Sequence, residues 1–240
     1  LCGPQLYLAA EGEVPLRLTG GEYAYLDGAA RCRLAQSGLR SEVRMFIDPL
    51  TGGAVYAARL RNTGTAARRA HLVFYAEPAL APQREDAAHP AFSSLFLTLE
   101  PAGENACLLR RFPREGGEAH QLCARMWAQA APLHCDVTDD RALLLGREGS
   151  VEAPQGLLAL FTLGGRDKCL ALRARVTLPA GGEETVYCAL SPRMPREGDA
   201  LLRGEDLART RAHTARHLLL ADPRLPALAC RLAGRLLFAR

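Results

Sequence analysis

From residue 4 to about residue 190 the chain is a succession of short apolar or alternating runs set between turn residues. The run from Arg40 to Ile47 alternates and stops at Asp48-Pro49-Leu50-Thr51-Gly52-Gly53. The next, Ala54 to Arg61, stops at Asn62-Thr63-Gly64-Thr65 and is followed by a third from Ala70 to Glu77. Side chains on a strand point alternately to the two faces of a sheet, so period-two runs punctuated by Gly, Pro, Asn and Asp predict strands. These three predict an antiparallel meander. Further strands are predicted near 22–26, 30–36, 94–100, 105–111, 120–128, 141–145, 157–163, 169–178 and 183–190. The run from Arg173 to Leu178, followed by Pro179-Ala180-Gly181-Gly182-Glu183, predicts a hairpin around a Gly-Gly turn. Many short strands with few helix-period segments predict a mainly β sandwich or barrel.

The pattern changes after Pro195. Gly198 to Leu220 carries Leu201, Leu207, Ala208, Ala212, Ala215, Leu218 and Leu219 at helical spacing. Asp222-Pro223 breaks it, and a second amphipathic helix is predicted from Leu225 to Phe238 with Leu228, Leu232, Leu236 and Leu237 on one face. The expected plan is therefore a β domain over 1–195 and a helical linker over 196–240. Its apolar last turn, and an opening at Leu1 without Met, are those expected of a piece of a longer protein.

Composition narrows the classes. The 240 residues are 48% hydrophobic, which is ample for a core. Thirty basic against 26 acidic residues leave a net charge of only +4, and Lys168 is the one lysine. The arginines are scattered and aromatics are 6%, so the basic stripe with interleaved aromatics of a nucleic-acid binder is missing. The arginine bias reads as overall composition rather than as a phosphate-binding surface. Cysteines at 2, 32, 107, 123, 135, 169, 188 and 230 form no C-x-x-C and sit in apolar runs, so buried free thiols in a reducing, cytoplasmic setting are expected. No apolar run reaches the roughly 20 residues of a membrane span, and the first residues lack a secretory leader pattern.

The segment Tyr75-Ala76-Glu77-Pro78 through Ala88-His89-Pro90-Ala91-Phe92-Ser93-Ser94-Leu95-Phe96 reads as a strand, a polar loop and a second strand opening at Phe92. It resembles a run in cyclic β-1,2-glucan synthases and the related inverting cellobiose and chitobiose phosphorylases, glycoside hydrolase family 94. Leu60-Arg61-Asn62-Thr63-Gly64, Trp127-Ala128, Asp139-Asp140-Arg141-Ala142-Leu143-Leu144-Leu145-Gly146-Arg147, Val176-Thr177-Leu178-Pro179-Ala180-Gly181-Gly182-Glu183 and the closing Leu232-to-Phe238 stretch resemble further motifs of that family, in order. The resemblance implies a large antiparallel two-sheet supersandwich of the galactose-mutarotase-like kind, then linker helices. It also implies a catalytic (α/α)6 barrel lying outside this chain, where phosphate cleaves β-glucosidic bonds. On this reading the chain is a non-catalytic domain of a glycosyltransferase or glycoside phosphorylase, buttressing the barrel and framing the sugar site. Its partners would be a β-glucan or gluco-oligosaccharide, the barrel and, as in some members, a second copy; a synthase parent would reach the inner membrane through segments elsewhere. No cofactor and no metal are expected. Two other classes stay open: an autonomous carbohydrate-binding module, needing Trp127, Tyr25 and Tyr56 on one exposed face, and a mutarotase- or epimerase-like enzyme, needing a convergent pair such as His89 with Glu77.

The site candidates follow from chemistry. His89, in a loop with Arg84, Asp86 and Phe92 nearby, offers the hydrogen-bonding and stacking groups of a sugar-binding edge; the alternative is a structural loop that docks on the helical domain and caps two strands. Trp127, the sole Trp, is either core or a stacking platform. The adjacent pairs Glu85-Asp86, Asp139-Asp140 and Glu183-Glu184 point to opposite faces if on strands, and read as turn or surface charge rather than an acid–base pair. His213 and His217 at i, i+4 lack a third ligand and read as a solvated helix face.

Overall fold

The computed structural model describes residues 3–26, 29–48, 52–112, 119–128 and 130–192. Two antiparallel sheets face each other. The smaller runs β11 (Cys135–Asp140), β12 (Lys168–Leu178), β7 (Arg68–Ala76), β1 (Gln5–Ala9) and β2 (Leu16–Arg17). The larger runs β3 (Glu22–Leu26), β4 (Ala29–Gln36), β5 (Leu39–Ile47), β6 (Ala54–Asn62), β13 (Glu183–Ser191), β10 (His120–Ala128), β9 (Ala106–Arg111) and β8 (Leu97–Pro101). The period-two runs explain the layering. Alternate residues such as Leu72, Phe74, Leu172 and Ala174 of the smaller sheet pack against Val43, Met45, Tyr56, Ala58, Met126 and Val186 of the larger. Burying a Leu or Phe in such a core contributes roughly 1.5–3 kcal/mol, and that gain brings the two inner faces together.

The smaller sheet also covers its outer face. Tyr7, Val73, Tyr75 and Ala171 lie beneath Leu144, Leu145 and Leu157. Arg173, only 8% exposed, is held there by Asp136 at 2.7 Å and by the carbonyls of Leu157 and Ala159, with its guanidinium over Phe161.

The expected two-sheet β architecture is what the structure shows, but four local expectations are corrected. The meander ends after β6, because β7 leaves the larger sheet to pair with β1 and β12. The β12–β13 pair is not a hairpin: β12 pairs with β7 in one sheet and β13 with β6 in the other. Residues 141–145 are helix α3 (Arg141–Leu145), because Asp140 caps it by accepting from Leu143 N at 3.0 Å and Gly146 ends it at φ +81. Residues 157–163 form a turn followed by irregular chain, not a strand. The short β1, β2 and β11 carry too little periodicity to stand out. The helices predicted over 198–220 and 225–238, with His213, His217 and Cys230, lie outside the described residues, as does Cys2.

One side chain explains both sheet changes. Asn62, 3% exposed, donates from Nδ2 to the carbonyls of Ala66 at 2.8 Å and of Leu178 and Pro179 at 3.1 Å each. Its Oδ1 accepts from Gly64 N, and its own N–H donates to Gly182 O. The β6–β7 and β12–β13 crossovers therefore meet at a single amide. Thr63 N donates to Gly38 O, which adds the β4–β5 turn to the same corner.

Six cysteines (32, 107, 123, 135, 169 and 188) are free and buried, as the sequence predicts. Burial pushes their thiols up, that of Cys135 to about 12.

Candidate functional site at the Glu77 end of the sandwich

The far end of β7 is built differently. After Ala76 the chain leaves the sheet through Glu77-Pro78 and forms helices α1 (Gln83–Ala88) and α2 (Pro90–Ser94) before β8. This corrects the expected polar loop and strand at Phe92. Proline suits the first helical turn, where its missing N–H costs nothing, and Pro90 opens α2. Phe92 packs edge-on against Phe96 with ring centroids 5.0 Å apart. Arg111 of β9 ties α2 down, donating to Ser93 O at 3.2 Å and lying over the Phe96 ring.

Facing these helices is the start of β12 with the β11–α3 junction. Glu77 accepts from Arg141 Nε at 2.9 Å and from the Tyr75 hydroxyl, and Arg141 reaches on to Asp167 at 3.2 Å. Hydrogen bonding to Glu77 is the main cause that strengthens the hold of Arg141 on its proton. Burial first, and then the hydrogen bond to Glu77, push the Tyr75 phenol far above its ordinary range. Beside them Asp139, 2% exposed, accepts from the amides of Gly164 and Gly165 and from Lys168 Nζ. Asp139 is thus a buried structural anion rather than surface charge, while its neighbour Asp140 turns to cap α3. Two of the segments that carry the family resemblance, 75–77 and 139–141, meet here.

Between the helices and this charged wall lies an open cleft of about 660 Å³, lined by Glu77, Asp86, Phe92, Leu95, Arg141 and Arg166 among others. Phe92 and Leu95 are 42% and 63% exposed. The side chains of Asp86 and Arg166 have no partner among the described residues. The cleft can therefore offer an aromatic edge, an apolar shelf, a free carboxylate and a free guanidinium.

Of the residues chosen from sequence, Asp86 and Phe92 line this cleft. Arg84 and His89 are exposed on the same helical pair but do not line it; His89 stands at the α1–α2 junction, where its carbonyl accepts from Ser93 N. His89 does not converge with Glu77, which is committed to Arg141 and Tyr75. Trp127 is elsewhere, on the outer face of the larger sheet, half-buried with Phe46, Val55 and Ala57 and stacked on Tyr187 at 5.5 Å and 22°. Tyr56 is fully buried, so Trp127, Tyr25 and Tyr56 form no exposed aromatic row. Sequence reasoning missed Arg141, Arg166 and Lys168. The one available signal was that Lys168, the only lysine, and the Asp139-Asp140-Arg141 cluster break otherwise apolar runs. No cluster of three or more His, Cys, Asp or Glu residues suited to a metal occurs among the described residues.

The family match agrees with this architecture. The model of the glycosyl hydrolase 94 supersandwich domain matches residues 19–217. A relative, the cyclic beta-(1,2)-glucan synthase NdvB of Rhizobium meliloti (strain 1021), is 30% identical over 168 residues, which are 67% of this chain and 6% of that protein. The chain thus spans a small fraction of the curated relative it matches. Solved structures with weaker likeness include a polysaccharide lyase, at 13% identity and TM-score 0.42, and a bacterial glucoamylase complexed with acarbose, at 10% and 0.44. These cover 87% and 88% of this chain and 28% of each of theirs. With a match over most of its length, and with two antiparallel sheets to bear it out, the chain belongs to the family of glycosyl hydrolase 94 supersandwich domains.

Proposed function

We propose that this chain is a framing domain of a carbohydrate-active enzyme of the cyclic β-1,2-glucan synthase or β-glucoside phosphorylase kind. The β domain of 1–195 buttresses a catalytic barrel reached through 196–240, and the cleft beside Phe92 borders the sugar-binding site. One observation carries this reading. The cleft combines an exposed aromatic edge and unpartnered Asp86 and Arg166 with a carboxylate, Glu77, already neutralised by Arg141. Such a set binds hydroxyls and stacks on a pyranose ring. Inverting glycoside chemistry needs an acid poised to give its proton to the leaving oxygen, which an ion-paired Glu77 is badly placed to do. The similarity to a glucan synthase supports a β-1,2-glucan as the sugar, and six free buried thiols support a reducing, cytoplasmic compartment.

The test is an NMR titration of the chain with linear and cyclic β-1,2-gluco-oligosaccharides, with cello-oligosaccharides as control. Saturable shifts centred on 84–97 and 166–168, reduced by Phe92→Ala, are expected. Phosphorolysis of any β-glucan by the pure chain would overturn the framing role, and unperturbed spectra at millimolar sugar would remove the sugar from this cleft.

A further inference from the structure

The outer face of the larger sheet carries a charge arrangement that neither the fold nor the cleft requires. Strand register sets arginines side by side there. Arg40 on β5 lies directly opposite Arg61 on β6, with Ala35 of β4 on one flank and Glu183 of β13 on the other. In the next row outward on the same face stand Arg33, Glu42 and Arg59. Residues directly opposite in an antiparallel pair have Cβ atoms about 4.5–5.5 Å apart, and like charges so placed repel.

The nearby carboxylates hydrogen-bond to other arginines rather than to Arg40 or Arg61. Glu42 accepts from Arg33 Nε at 2.9 Å and from Arg44 Nε at 2.8 Å. Glu183, though directly across from Arg61, accepts from Arg59 Nε at 2.6 Å. Glu22 stands opposite Arg33. Among the described residues, neither Arg40 nor Arg61 has a hydrogen bond or an ion pair from its side chain. Both are exposed and line a hollow of about 800 Å³, whose wall holds Arg33 and Arg59 together with the carboxylates of Glu22, Glu42 and Glu183.

We infer that the Arg40–Arg61 pair is a binding site for a tetrahedral oxyanion, a phosphoryl group either free or carried on a sugar. Each guanidinium presents paired N–H donors in one plane, matched to two oxygens of such a group, and two guanidinia on adjacent strands can clamp it from both sides. A neutral sugar would leave the repulsion in place; an oxyanion removes it. The hollow is far larger than one phosphate, and Ala35 keeps the floor beside Arg40 low, which leaves room for an attached pyranose. This site lies on the other sheet from the cleft and does not depend on the sugar-framing reading.

The experiment titrates the chain with inorganic phosphate, glucose 1-phosphate and glucose at constant ionic strength, following backbone shifts of β5 and β6 and the melting temperature. Saturable shifts and a raised melting temperature with either phosphate compound, and none with glucose, are expected. Equal affinity for the two assigns the site to the phosphoryl group alone; tighter binding of glucose 1-phosphate assigns it to a phosphosugar. Arg40→Ala and Arg61→Ala should each weaken binding about tenfold or more while raising the melting temperature of the ligand-free protein. Arg69→Ala, on the other sheet, should alter neither. Absence of saturation at millimolar phosphate and glucose 1-phosphate, or titrations unchanged in the two arginine variants, would overturn the inference.

Discussion

The two ends of β7 lie about 27 Å apart, at roughly 3.4 Å per residue, and they are fastened by opposite means. At the Arg68 end one neutral amide, Asn62, is saturated by backbone carbonyls and amides from two crossovers. At the Ala76 end the fastening is ionic: Glu77 with Arg141 and Asp167, and Asp139 with Lys168. A neutral lock gains nothing from the solvent and leaves no group over for a ligand. An ionic one responds to salt, and it leaves charged neighbours such as Arg166 and Asp86 at the cleft. The difference teaches what each corner does: the Asn62 corner ties the two crossovers together, and the Glu77 corner holds charge beside the cleft.

The most severe way to break the comparison is to put charge into the neutral corner. Asn62→Asp sets a carboxylate against three carbonyls in a buried site and should cost about 3–5 kcal/mol, with Asn62→Ala costing about 2–3 kcal/mol; denaturant midpoints measure both. A loss below 1 kcal/mol in either would mean that the crossovers hold without the amide. Next in size, Lys168→Met leaves Asp139 buried on two amides alone and should cost about 2 kcal/mol, recovered in part by adding Asp139→Asn. Glu77→Gln removes a partly exposed pair, so about 0.5–1 kcal/mol at low salt is expected, shrinking as salt is added. Salt-independent loss would show that Glu77 acts through packing on Tyr75 instead.

Alkali gives a pH test with a definite sign. Thiols and phenols whose folded pKa values are raised keep their protons in the native state while the unfolded chain loses them, so their stabilisation is present at neutral pH and lost as pH rises. The decline should begin near the ordinary thiol value of 9.0 and steepen through the phenol value of 10.0. Tyr75→Phe should flatten the upper part of that curve in a urea series at each pH. Smallest of all, Phe92→Ala should leave stability within about 0.5 kcal/mol and alter only sugar titrations.

The layered β architecture was legible because period-two alternation is written into each long strand, and β4, β5, β6, β9, β10, β12 and β13 fall close to their predicted spans. What could not be read was which sheet a strand joins. The Gly181-Gly182 turn looks like a hairpin because a tight reversal uses the same residues whether its strands pair or part. The parting depends on Asn62, more than a hundred residues away from its partners Leu178 and Pro179. The cleft was half legible. Asp86 and Phe92 came from one local segment, whereas Arg141 and Lys168 arrive through tertiary contacts that no local spacing announces. Helix α3 was misread because Leu143-Leu144-Leu145 suits a strand equally well, and Asp140 as a cap together with Gly146 decided otherwise.

The sheet-switching corner also sets an order of assembly. In the larger sheet β3 through β6 are successive hairpin neighbours, as are β8 through β10, and such local pairings can close early. The smaller sheet has only the short β1–β2 pairing as such a start: β1 must find β7 some sixty residues on, and β7 gains β12 only some hundred residues later. A ribosome emitting this chain would therefore release β1, β2 and β7 long before β11 and β12 exist to complete their sheet. Until residue 178 emerges, only β1, β2 and β7 are there to cover the inner face of the larger sheet. That interval, rather than the finished fold, is when the chain is most exposed to aggregation.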